Sequence, residues 1–361
     1  MKNVALLVYD ATLTGGAERV ALNMAHELSC AFNIHLISLF HHKKAQISAG
    51  GSYRVAALME ESCSITRNFF SMVSRLRRYI CENDINVLYA ITAGVVTVAI
   101  AAAVGTKTKI VYCEHSNLEN KTYGKHHEFR QWAGAKFSQK VVTLTEQDRR
   151  NFIANFHLCE DRVETITNWF SGGDAKEVQY NTMSKGIISV GRLEAVKGFD
   201  MLIKVAAMVR ERHKDWHWDI YGEGSKREEL EASIREYGLE DFVVLKGNVA
   251  NIQQRYTEYA MFVMTSYYEG LPLVLLEAQV AKLPVVSFDC PTGPAEIVID
   301  AVNGFLVSAY DIEEMSSRIC QLIEQASLRE AFSQKSNLKL HLFDKNVIVE
   351  KWINLTERML A

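Results

Sequence analysis

The sequence predicts two doubly wound α/β domains facing each other across a cleft, and three observations predict it. Short apolar runs alternate with helical periodicity, as expected of βα units around a parallel sheet covered on both faces. The alternation occurs twice, in residues 4–144 and again in residues 187–307. Between them lies SGGDAKEVQYNTMSK, residues 171–185, polar and aperiodic, which reads as a linker. A chain of 361 residues with 48% hydrophobic content suits two packed cores. The predicted domains are residues 1–170 and 171–344.

In the first domain, residues 4–8, 34–40, 87–91, 110–112 and 141–144 read as buried strands, and residues 16–28, 69–80 and 95–104 as helices. Residues 87–104 carry no charge and approach the length of a membrane span. They are poor in Leu and Phe, rich in Ala and Thr, and broken at Gly94, so they read as a strand followed by a small-residue helix. The apolar start, residues 4–8, ends at Asp10 and is too short for a secretory signal. In the second domain, residues 187–190, 216–221, 242–245, 261–265, 284–288 and 304–307 read as strands, and residues 199–210, 226–237 and 273–281 as helices. Helical patterns at residues 312–325, 327–338 and 346–360 close the chain.

The net charge of −3 gives no sign of a nucleic-acid partner. Residues 1–170 hold 19 basic against 15 acidic side chains and the remainder 21 against 28, so the two halves are expected to meet different partners. Seven scattered cysteines without a Cys-x-x-Cys pair read as buried free thiols in a reducing compartment.

The most informative segment is Glu269-Gly-Leu-Pro-Leu-Val-Leu-Leu-Glu277, which reads as the loop and helix after an apolar strand. A helix start offers unpaired N–H groups to a phosphate. Carboxylates beside a phosphate must be aimed elsewhere, and sugar or ribose hydroxyls are natural targets. A core helix with a Glu at each end explains the segment equally well taken alone. A second element shifts that balance: Gly191-Arg192-Leu-Glu-Ala-Val-Lys197-Gly198 follows the strand 187–190. It sets two cations at a strand's carboxyl end, where open α/β sheets bind ligands, and there they can hold a diphosphate.

Smaller signals accompany these two. Gly15-Gly16 opens a helix after the first strand, where a backbone can approach an anion closely, although the Gly-x-Gly-x-x-Gly fingerprint fails here and at Gly222-Glu-Gly224. His115 follows the strand 110–112, placed to meet a sugar hydroxyl or to be satisfied by nearby backbone. Gly293 lies in a Pro-Thr-Gly-Pro turn after the strand 284–288. No Asp-x-Asp and no metal-spaced cluster occurs, so no metal is expected. Residues 67–80 combine Phe69, Phe70 and Met72 with Arg67, Arg75, Arg77 and Arg78. Such a basic amphipathic helix can meet an anionic membrane surface or acceptor phosphates, or pack on a core with a solvated basic side.

In this order the motifs resemble glycosyltransferase family 4, the group 1 sugar transferases of the two-domain GT-B fold, over almost the whole chain. The resemblance implies that Arg192 and Lys197 bind the donor's diphosphate. It implies that Glu277 holds the ribose, Glu269 the sugar hydroxyls beside the reacting carbon, and His115 the donor sugar. Glu269, Arg192, Lys197 and His115 would then be catalytic. Gly16, Gly270, Leu271, Leu273, Val274 and Gly293 would complete the donor site. Gly15 and Glu18, with Arg67, Arg75, Arg77 and Arg78, would serve the acceptor or the membrane.

The implied reaction transfers a hexose or N-acetylhexosamine with retention, without metal or cofactor. The donor is a nucleotide-diphosphate sugar, UDP favoured over GDP, and the acceptor a glycan on polyprenyl diphosphate. The setting is O-antigen, capsule or exopolysaccharide assembly at the cytoplasmic face of the inner membrane. The last helix is expected to cross back onto the first domain. Two alternatives stay open: a sugar-nucleotide epimerase of the same fold, and a non-catalytic partner that keeps the nucleotide pocket. An NAD-dependent oxidoreductase is disfavoured by the failed glycine fingerprints.

Overall fold

A computed structural model describes residues 1–12, 16–40, 53–60, 64–120, 124–170 and 178–361. The chain forms two units, Met1–Asn168 with Lys345–Ala361, and Trp169–Asp344.

The first unit is built on a seven-stranded sheet: β1 (Asn3–Asp10), β2 (Asn33–Phe40), β3 (Arg54–Met59), β4 (Ile85–Ile91), β5 (Lys109–Cys113), β6 (Lys140–Thr143) and β7 (Val163–Thr165). Its order is β3-β2-β1-β4-β5-β6-β7 and all six pairings are parallel. Leu6 stands opposite Leu36 on one side and Tyr89 on the other, and all three are fully buried. A strand buried on both faces must be apolar at successive positions, which is why residues 4–8 do not alternate. The helices are α1 (Gly16–Leu28), α2 (Ile65–Glu82), α3 (Ala93–Ala103), α4 (Lys125–Phe137) and α5 (Glu146–Phe156). The uncharged stretch resolves into β4 and α3, whose small side chains let it pack against both α2 and α4. Among the described residues no helix is long and apolar enough to cross a membrane.

The second unit repeats the plan with β8 (Gly186–Val190), β9 (His217–Tyr221), β10 (Val243–Gly247), β11 (Met261–Met264), β12 (Val285–Phe288) and β13 (Gly304–Val307). The order is β10-β9-β8-β11-β12-β13, again all parallel. The helices α6 (Phe199–Arg212), α7 (Arg227–Glu236), α8 (Leu273–Val280), α9 (Pro294–Ile297), α10 (Ile312–Glu324) and α11 (Ala326–Gln334) connect and follow the strands. Leu202, Val205, Trp218, Phe288 and Ile319 lie at the centre of its core. Both sheets start in the middle and reverse direction, at β1 and β4 in one unit and at β8 and β11 in the other. The carboxyl ends of such a strand pair open a crevice for ligands.

The last helix, α12 (Lys345–Leu360), belongs to the first unit. Its Trp352 meets Tyr89 edge to face at 5.6 Å, and its Thr356 hydroxyl lies 2.6 Å from the Tyr89 hydroxyl. Burial pushes that phenol far above its ordinary range.

Among the elements that escape the periodicity reading are β3, β7, α4 and α5. β3 is a half-exposed edge strand without a clean alternation, β7 has three residues, and α4 and α5 are largely polar. The cysteines also correct an expectation. Cys113, Cys290 and Cys320 are buried, but Cys30, Cys81 and Cys159 are exposed, and Cys63 lies outside the described residues.

Candidate active site

The site is assembled at the carboxyl edge of the second sheet from the loops after β8, β9, β11 and β12, with Gln253 and Tyr256 from the segment after β10. The loop after β8 runs from Gly191 to Gly198 and ends in a short 3-10 turn, Ala195–Lys197. Gly198 has φ +63°, and a Cβ there would fall 2.0 Å from the Thr265 carbonyl oxygen, so only glycine fits. Thr265 reciprocates, its hydroxyl donating to the Gly198 carbonyl at 2.9 Å. The Tyr267 N–H donates to the Val196 carbonyl at 2.8 Å. The Arg192–Lys197 loop is thereby bolted to the loop after β11.

The loop after β9 braces it from the other side. The Leu193 N–H donates to the Glu223 carbonyl at 3.0 Å, and the Lys226 N–H to the Leu193 carbonyl at 2.9 Å. A Cβ on Gly222 would fall 1.8 Å from the Gly191 carbonyl oxygen. Glu194 accepts from the Ser225 N–H at 3.1 Å and the Ser225 hydroxyl at 2.8 Å, and these bonds hold its carboxyl below the usual range. The glycines of Gly222-Glu-Gly224 are therefore packing devices for the cation loop.

Lys197 and Glu269 come into direct contact, Nζ to Oε1 at 2.6 Å, with the Glu269 side chain 9% exposed and that of Lys197 21%. The Ser266 hydroxyl donates to the same Oε1 at 2.6 Å. The Glu269 N–H donates to the Pro291 carbonyl at 3.1 Å, and its carbonyl accepts from the Thr292 N–H at 3.0 Å. The loop after β12 thus fixes the backbone of Glu269 from both sides. Gly293, φ +98°, sits against the Gly270 carbonyl, where a Cβ would come within 2.4 Å.

Pro272 is the N-cap of α8. Leu271 is buried, whereas Gly270, Leu273 and Val274 are half-buried at the start of that helix. Glu277 lies in the second turn, 6% exposed, and accepts from the Tyr256 hydroxyl at 3.0 Å and the Gln253 amide at 3.2 Å. Sequence reasoning missed Ser225, Gln253, Tyr256 and Ser266. Of these, Ser266 and Ser225 stand beside recognised motifs, while Gln253 and Tyr256 come from a region with no motif.

Arg192 is exposed, five residues before Lys197 on the same loop. In the first unit His115 follows β5, half-buried. Its Nε2 is closed off from solvent and has no hydrogen-bond partner among the described residues. Burial lowers its pKa to about 4, against a smaller opposing pull from Glu114, so the imidazole is neutral at pH 7. Glu114 itself is fully engaged, accepting from Tyr112, the Ser116 N–H at 2.9 Å and Gln131 at 3.0 Å.

Gly16 is the first residue of α1, and a Cβ there would meet nothing within 4 Å, so packing does not demand a glycine. Glu18 is half-buried in the first turn of α1, and Gly15 lies outside the described residues. On α2, the Arg75 guanidinium donates to the Leu58 carbonyl at 2.9 Å, and that of Arg77 to the carbonyls of Ala102, at 3.2 Å, and Val104. Arg67 and Arg78 are exposed. Among the described residues no three His, Cys, Asp or Glu side chains stand together as a metal site.

Two family models match: Glycosyltransferase Family 4 over residues 14–171 and Glycosyl transferases group 1 over residues 174–339. The amylovoran biosynthesis glycosyltransferase AmsD of Erwinia amylovora is 30% identical over 256 residues, 68% of this chain and 69% of that protein. The chain belongs to the group 1 glycosyltransferases. Another relative of this group 1 chain is an N-acetyl-D-galactosaminyltransferase of Campylobacter jejuni, named for a glycan acceptor on PP-undecaprenol. It is 23% identical over 355 residues, 95% of each chain. Among solved structures, a variant of Staphylococcus aureus TarM bound to fondaparinux, alpha-GlcNAc-glycerol and UDP superposes with a TM-score of 0.85. That likeness covers 98% of this chain and 99% of the other at 19% identity. The fold of this group 1 glycosyltransferase is GT-B.

Proposed function

We propose that this group 1 glycosyltransferase moves a hexose or N-acetylhexosamine from a UDP-sugar to a glycan on polyprenyl diphosphate. It does so with retention and without a metal, in building a cell-surface polysaccharide at the cytoplasmic membrane face. The observation that carries the reading is the Lys197–Glu269 pair at the strand reversal of the second sheet, 2.6 Å across. It sets an ammonium for a diphosphate beside a carboxylate for sugar hydroxyls, on loops whose backbones are fixed from several sides. The second unit takes the donor and the first the acceptor. The relatives' names, one in amylovoran biosynthesis and one with an acceptor on PP-undecaprenol, support the setting.

In this reading Arg192 and Lys197 bind the diphosphate, Glu277 the ribose hydroxyls, and Glu269 the hydroxyls beside the anomeric carbon. Gly270, Leu271, Leu273, Val274 and Gly293 shape the wall, and the open space at Gly16 admits the phosphates. His115, held neutral by burial, meets the donor sugar.

The bond from the anomeric carbon to the β-phosphate oxygen breaks, and the electron pair leaves with the nucleotide. The acceptor hydroxyl attacks from the same face and passes its proton to the departing phosphate oxygen. Retention then needs no carboxylate nucleophile of the glycosidase kind. Positioning and stabilisation of the leaving charge supply most of the rate.

The test is steady-state transfer with a panel of UDP- and GDP-sugars, comparing wild type with Arg192→Ala and Lys197→Ala. Each variant is expected to lose about 10²-fold in kcat while keeping its circular dichroism. Near-normal turnover in both would remove the assignment.

A further inference from the structure

Glu114, in the loop after β5, is 1% exposed, and four neutral donors meet its carboxylate. Its Oε1 accepts from the Ser116 N–H at 2.9 Å and the Ser116 hydroxyl at 2.6 Å. Its Oε2 accepts from the Tyr112 hydroxyl and from the Gln131 amide at 3.0 Å. A carboxylate can take two donors on each oxygen, whereas a glutamine in its place would turn a donor of its own toward one pair. A buried charge is costly unless hydrogen bonds replace its water, and an apolar side chain would serve packing better. The reason for a carboxylate here lies in what its bonds hold.

They hold the loop that carries His115. Bonds from residue 116 back to residue 114 tie the two neighbours of His115 to each other. The backbone leading into the loop is fixed as well: the Glu114 N–H donates to the Val142 carbonyl of β6 at 2.8 Å, and the Cys113 carbonyl accepts from the Thr92 N–H, just after β4, at 2.9 Å. The side-chain donors are themselves set in place. Tyr112 is fully buried in β5, and Gly134 of α4 lies against its ring, where a Cβ would fall 2.5 Å from Cδ1. Gln131, three residues earlier on the same side of α4, is 1% exposed. By contrast, the His115 Nε2 has no partner among the described residues.

We propose that Glu114 is a positioning residue: with Ser116, Tyr112 and Gln131 it holds the loop so that the His115 ring meets the donor sugar in one orientation. The inference rests on the reading of His115 as a contact of the donor sugar. It adds that Glu114 touches no substrate and acts through His115.

The experiment combines steady-state turnover by the full-length protein, with the UDP- or GDP-sugar that wild type uses fastest, and nitrogen NMR of its histidine rings. Glu114→Gln and Gln131→Met should each lower kcat/KM by about tenfold or more. Calorimetric binding of UDP or GDP alone, which lacks the sugar, should be unchanged. His115→Ala should lose at least as much, and adding Glu114→Gln to it should cost no more than about twofold further. A role in stability alone would give independent losses instead. The His115 ring signal should be single in wild type and shifted or split in Gln131→Met, the variant that serves if Glu114→Gln misfolds. Additive losses in the double variant, wild-type kcat/KM in Glu114→Gln and Gln131→Met beside an impaired His115→Ala, or an unmoved ring signal would each overturn the proposal. Normal turnover by His115→Ala would instead strike the reading of His115 as a sugar contact, and the ring signal would then decide whether Glu114 positions it.

Discussion

Lys197 and Glu269 neutralise each other at 2.6 Å, and an ammonium has three donors, so one can stay with Glu269 while others turn to a diphosphate. Removing one partner of such a pair leaves a poorly solvated charge behind. Glu269 is the more enclosed of the two, so loss of the lysine costs more than loss of the carboxylate. Lys197→Met should lower stability by about 1–3 kcal/mol, below the range for a fully buried pair because Lys197 keeps some solvent. Adding Glu269→Gln should restore part of that loss. Denaturant melts of both single variants and the double variant close the cycle, and strict additivity would show that the pair is not coupled. The sequence placed these two residues in separate motifs, each with a plausible partner in a substrate. Their mutual contact was not legible, because nothing local records which strands of a parallel sheet lie side by side.

Glycines at the edges of elements divide into two kinds, and the contrast is testable. Gly198 closes the cation loop in a left-handed conformation against the Thr265 carbonyl. Gly16 opens α1 in free space. Gly198→Ala must pay the left-handed penalty of about 1–2 kcal/mol and also move the loop after β11. It should therefore lower both melting temperature and nucleotide-sugar affinity. Gly16→Ala should leave stability within about 0.5 kcal/mol of wild type, so any fall in transfer would report a ligand against that backbone. Equal melting temperatures for Gly198→Ala and wild type would contradict the packing described. Strands β1, β4, β8 and β11 were readable because burial on both faces leaves an unbroken apolar run. Helices α4 and α5 were not, since α4 turns aromatic and basic side chains outward and buries only Gln131 and small residues over most of its length.

At the scale of the whole molecule, the chain leaves its first unit after Asn168 and comes back at Lys345. α12 therefore contributes to a core whose other members lie more than 170 residues earlier in sequence. Its hold is concentrated in Trp352, 2% exposed and edge to face with Tyr89, with Ile348 and Leu355 also buried. The helical pattern of residues 346–360 was plain in the sequence, but its docking site was an expectation taken from resemblance, because an amphipathic face does not say which core it covers. Trp352→Ala removes a large buried ring and should cost about 3–5 kcal/mol. That loss belongs to the first unit alone, since the second has its own core around Trp218 and Phe288. Hydrogen exchange read by mass spectrometry should show faster exchange in β1, β4 and α12 of the variant, with β8 and β11 as protected as in wild type. Uniform deprotection of both sheets would mean that the two cores do not open separately, and no change in β4 would mean that α12 is not part of the first.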